Sequence, residues 1–144
     1  MKIDDLIPLV EHPQQIRLNG FSELLLNHLM DVARQALEAT TEMHPMLQVI
    51  ALYTARGNIH TGISYGPQTG EALLEQLRQQ GDTQVTHLVA LWARGGLDMP
   101  AFDFRKALLE LDAGNEFALL VMQGHDCLRA RTVGSTMPPR KTEE

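Results

Sequence analysis

The stretch with the best placement for chemistry is residues 85–111, VTHLVALWARGGLDMPAFDFRKALLEL. It reads as a buried strand, a Gly-rich turn and a helix, and in open α/β sheets ligands gather where a strand ends and the next helix begins. The residues at that junction are Ala101, Phe102 and Phe104, none of which can move a proton or hold a metal. Gly95-Gly96 serves as a turn and not a phosphate loop, since no GxGxxG pattern or P-loop lysine follows. Asp98 and Asp103 are expected to support the start of the helix, where carboxylates complement its dipole.

Elsewhere the reactive side chains are dispersed. Six histidines, His12, His28, His44, His60, His87 and His125, form no HExxH or other metal-ligand spacing. His60 and His87 fall on strands, where packing or solvent exposure is the expected role. His125-Asp126-Cys127 puts a nucleophile beside a base and an acid, but neighbours on an extended chain point to opposite faces. A single cysteine excludes an internal disulfide and a cysteine-rich zinc cluster. Glu71, one residue beyond Gly70, is only a weak candidate for an acid/base, and a first-turn acid favoured by the helix dipole is its expected role.

The elements that would position these residues follow from periodicity. Residues 21–41 repeat Leu25, Leu26, Leu29, Met30, Ala33, Ala36 and Leu37 at helical spacing, with Ser22 as the expected N-cap and His44-Pro45 as the break. Residues 47–54 and 59–65 read as strands joined by a hairpin in which Gly57-Asn58 takes positive φ. Residues 69–80 form a second helix, capped by Thr69 and stopped by Gly81. Residues 85–92 and 117–122 are apolar runs typical of strands covered on both faces. Pro100 belongs to the first turn of a third helix ending near residue 112, and residues 127–133 make a last strand. The order α-β-β-α-β-α-β-β specifies an α/β protein: a three-layer α-β-α sandwich with a mixed five-stranded sheet. Residues 1–20 form an N-terminal arm with Ile3, Leu6, Ile7, Leu9 and Val10, residues 21–138 one domain, and residues 139–144 a polar tail.

Composition narrows the partners. A net charge of −6 argues against nucleic acid or an anionic membrane surface as ligand. No apolar run approaches the ~20 residues that span a bilayer. The first residues carry acids where a signal peptide is basic, so a cytoplasmic location is expected.

Several segments, in order and spacing, resemble the cytidine deaminase family over residues 21–138. Ile59-His60-Thr61-Gly62-Ile63 is similar to the strand that in the family ends Thr-Gly-Val-Asn-Val-Glu. Thr69-Gly70-Glu71 stands where the family has Cys-Ala-Glu or His-Ala-Glu, and residues 100–108, PAFDFRKAL, lie on its Pro-Cys-Gly-Ala-Cys-Arg-Gln-x-Leu. Thr132-Val133-Gly134-Ser135-Thr136-Met137-Pro138 resembles the closing segment ending in Leu-Leu-Pro. The resemblance implies a zinc site at Thr69, Ala101 and Phe104, with the ribose-binding Asn and Glu places at Ser64 and Gly66. None of these residues is a zinc ligand, and without zinc no water is activated to attack a pyrimidine.

The expected remnant site is therefore Ser64, Thr69, Glu71, Ala101, Phe102 and Phe104, with no metal and no cofactor, and with both phenylalanines plugging the cleft. The function this implies is that of a pseudoenzyme: a non-catalytic deaminase-fold protein acting as a binding or scaffolding homo-oligomer. The resemblance implies a dimer or tetramer with itself as partner, since the family pairs through the helices framing the site, and another protein remains a possible partner. Two alternatives stand beside it. One is a metal-independent enzyme or small-ligand binder using the cleft near Glu71, with Asp98 or His60 assisting. The other is a small acidic chaperone or immunity-type partner protein.

Overall fold

A computed structural model describes residues 20–40, 46–64, 70–123 and 128–137. The N-terminal arm up to residue 19, the His44-Pro45 break, Thr69, Gly66, the His125-Asp126-Cys127 cluster and the tail lie outside the described residues.

Helix α1, Gly20–Ala39, turns Leu25, Leu26, Leu29, Met30 and Ala33 inward, the stripe that its leucine spacing specifies. It begins before Ser22, so that serine lies inside the helix and does not cap it; its hydroxyl instead meets Nε2 of His87 at 2.9 Å. Strands β1, Gln48–Thr54, and β2, Ile59–Ser64, make the expected hairpin. Gly57 alone takes positive φ, at 86°; Asn58 does not. Thr54 N–H donates to Asn58 C=O and Gly57 N–H to Thr54 C=O, which closes a three-residue loop.

Helix α2, Glu71–Gln79, starts from Gly70 and is closed by Gly81, whose N–H bonds the carbonyl of Arg78 and whose φ of 64° turns the chain so that Asp82 N–H reaches the carbonyl of Leu77. The central strand β3, Val85–Trp92, is followed by a turn through Gly95 and Gly96 into a two-residue strand β4, Leu97–Asp98, which folds back on it. Such a short strand has no periodicity to read in a sequence. Helix α3, Phe102–Leu111, has Ala101 as its N-cap, so Pro100 precedes the helix instead of forming its first turn.

Residues Ala113–Phe117 form a short 3-10 helix, and β5, Leu119–Gln123, begins only after it. Phe117 is therefore outside the strand and 71% exposed, contrary to the apolar-run reading. Asn115 in the same turn is fully buried. Its Oδ1 accepts from Val85 N–H, and its Nδ2 donates to the carbonyls of Thr83 and Leu108. Asp112 Oδ1 accepts from Gly114 N–H as well, so two polar side chains hold that turn, and Phe117 is left on the surface. Strand β6, Leu128–Thr132, and a second 3-10 turn, Gly134–Thr136, complete the described chain.

The sheet order is β2-β1-β3-β5-β6, with β4 beside β3. β3 and β5 are parallel and joined across α3, and the other pairings are antiparallel, so the sheet is mixed as expected. Alternation along the strands splits the core. Val49, Ala51, Val89 and Val121 face α1, whereas Ile50, Leu52, Leu88, Ala90 and Leu120 face α2 and α3. The protein is thus a three-layer α-β-α sandwich.

Candidate functional site

Two helix starts define the site, α2 at Gly70 and α3 at Ala101, and neither N-cap carries a side-chain hydrogen bond. Phe104 fills the space between them. It has no exposed surface. A Cβ built on Gly70 would stand 2.7 Å from Phe104 Cδ1 and 3.7 Å from Ile50 Cδ1, and Gly70 has φ of 83°. Only a residue without a side chain lets the ring approach α2 this closely, and only glycine adopts that φ without strain. The ring then belongs to the core with Leu73, Leu77, Leu88 and Leu108.

Phe102 behaves differently, and the expectation that both rings plug the cleft fails for it. At the first position of α3 it is 44% exposed, with the Arg105 guanidinium 5.7 Å from its ring centre. Helical geometry explains the split: residues two apart lie about 200° around the axis, so Phe102 and Phe104 cannot share a face. Ala101 is exposed, Ser64 is buried at the end of β2, and Glu71 is an exposed acid in the first turn of α2. Among the described residues no three His, Cys, Asp or Glu side chains come together to hold a metal ion.

No family model matches the chain, and no curated protein does. Solved structures do. A cytidine deaminase from Mycobacterium tuberculosis matches with a TM-score of 0.60 at 23% identity, over 81% of this chain and 96% of that one. One from Mycobacterium leprae gives 0.60 at 16% identity, over 78% and 96%. One from Burkholderia pseudomallei gives 0.58 at 19%, over 77% and 94%. The chain has a cytidine deaminase-like fold.

Within this deaminase-like fold two of the residues considered for metal-free chemistry, His60 and Asp98, are already engaged. His60 on β2 is buried, with Nε2 at 2.9 Å from Asp82 Oδ2 and Nδ1 at 2.7 Å from Gln76 Nε2. Both ring nitrogens are thus taken by protein partners, which leaves neither for a substrate. Asp98 accepts from Trp92 Nε1 and from Met99 N–H, so it braces the β3–β4 turn and does not cap α3.

The sequence reading missed two buried polar centres. Asp82, after α2, accepts through Oδ2 from Thr54, Asn58 and His60, tying the β1–β2 hairpin to the α2–β3 loop. Burial alone would raise its carboxyl, but the bonds from His60, Asn58 and Thr54 and the attraction of His60 hold it below the usual value. Its Oδ1 is buried without a partner among the described residues. Arg105 is buried too. It donates from Nε to Pro100 C=O and from Nη1 to the carbonyl and hydroxyl of Thr136, which locks the start of α3 to the last turn. Burial pulls its guanidinium below the usual value, Asp98 opposes that shift and Arg131 adds to it. Pro100 aside, these partners lie 22 to 31 residues apart in the chain, so no local pattern announces them.

Proposed function

We propose that this chain is a non-catalytic protein of the deaminase-like fold that works as a self-associating binding or scaffolding subunit. The observation that carries this reading is the Phe104 ring, packed against Gly70 between the two helix starts. The family resemblance puts the zinc site at Thr69, Ala101 and Phe104, and zinc does not fit these residues. A methyl and a phenyl group offer no lone pair, a threonine hydroxyl is not among zinc's usual ligands, and the ring occupies the space itself. No step through a metal is therefore derived. Self-association draws support from apolar side chains left on the surface, Phe21, Leu24, Phe102 and Phe117 among them.

The reading is tested by elemental analysis of the purified chain together with a cytidine deamination assay. The expected outcome is no stoichiometric zinc and no turnover above buffer. About one zinc per chain that survives mild chelation, accompanied by deamination, would sink the proposal.

A further inference from the structure

The two edges of the sheet are built differently. At one edge, β6 carries Arg129 and Arg131, charges of the kind that discourage edge-to-edge pairing. At the other edge, β2 reads IHTGIS, with no lysine, arginine, carboxylate or proline, and its register against β1 runs without a bulge. Nothing in its sequence guards it.

The hairpin closure fixes which groups that edge offers. Thr54 N–H bonds Asn58 C=O, so the next main-chain-bonded pairs are Leu52 with His60 and Ile50 with Gly62. The intervening residues, Ile59, Thr61 and Ile63, turn their N–H and C=O groups away from β1 to the side where no described strand lies. Their side chains share the α1 face, because their partners include Val49 and Ala51 of that core layer and Ile63 packs on it. Ile59 is exposed.

The outward set Ile59, Thr61, Ile63 reads the same in both directions. An antiparallel copy of the strand would meet it with Ile63 against Ile59, Thr61 against Thr61 and Ile59 against Ile63. Each of these three pairs joins like with like, two aliphatic and one hydroxyl, the combinations that stabilise paired strands, while His60 meets Gly62 on the other face. Two N–H···O=C bonds in each of three pairs add about six main-chain hydrogen bonds.

We propose that β2 is the self-association surface: two copies pair β2 against β2, antiparallel, about a twofold axis at Thr61, and so fuse their sheets into one. This rests on the reading that the chain self-associates and names where it does so.

Three full-length proteins test it by light scattering and far-UV circular dichroism: the unaltered chain, Thr61→Lys, and Thr61→Cys in a Cys127→Ser background. In the proposed pair the two position-61 Cα atoms lie about 5.5 Å apart, within disulfide reach. The expected results are an oligomer for the unaltered chain, a halved mass for a folded Thr61→Lys, and a disulfide-linked dimer on oxidising the Thr61→Cys protein. An Arg129→Cys control in the same background stays unlinked. If the unaltered chain is an oligomer but folded Thr61→Lys keeps its mass and Thr61→Cys does not cross-link, the β2 edge is refuted while self-association stands. A monodisperse monomer at micromolar concentration overturns both.

Discussion

Phe104 and Gly70 act as one unit. The ring has its place because residue 70 has no side chain, and the positive φ at Gly70 keeps that residue a glycine. Removing a fully buried phenyl costs about 3–5 kcal/mol, and we expect Phe104→Ala to fall in that range in urea unfolding. Phe102→Ala, on the exposed side of the same turn, should cost no more than about 1 kcal/mol. Gly70→Ala should destabilise strongly in the parent chain and less in the Phe104→Ala background, where the clash has been removed. Costs that add to within about 0.5 kcal/mol would mean the two residues do not touch.

At the level of elements, polar bonds complement the apolar layers. His87 of β3 bonds Ser22 of α1 at 2.9 Å and Thr86 at 2.8 Å, and meets the rings of Phe21 and Tyr53 edge-on. Burial lowers its basicity below the usual value of 6.5, so the folded state favours the neutral ring. Because the unfolded chain takes up this proton more readily, the stabilisation is complete above pH 6.5 and is lost as pH falls through the folded value. The melting temperature should therefore fall as pH drops below 6.5, and this fall should shrink in His87→Gln. An equal slope in both proteins would exclude His87 as its source. Asp82 adds a second loss at lower pH. Its carboxyl is lowered from 3.8, so its contribution is present above that value and disappears as pH drops through the folded one.

For the whole molecule the question is which surface meets a second copy. The arm, with Ile3, Leu6, Ile7, Leu9 and Val10, and the β2 edge are separate segments of the chain, and deletion distinguishes them. With the interface contained in Ile59–Ser64, removing residues 1–18 should leave the number of chains per particle unchanged in light scattering. An oligomer that dissociates on that deletion alone would move the interface to the arm. Among the described residues no helix is long and apolar enough to cross a membrane.

Local pattern by itself determined the helix stripes and the hairpin, because periodicity and turn residues are written in near neighbours along the chain. The layered fold followed from the order of those elements. Tertiary structure alone decided that Phe104 turns inward and Phe102 outward, since both are equally apolar and the exact start of α3 sets their faces. It also decided that Ser22 serves His87, that His60 is consumed by Asp82 and Gln76, and that Asn115 is buried while Phe117 is not. Each of those outcomes depends on a partner brought close by folding across tens of residues, and such contacts leave no mark in local sequence.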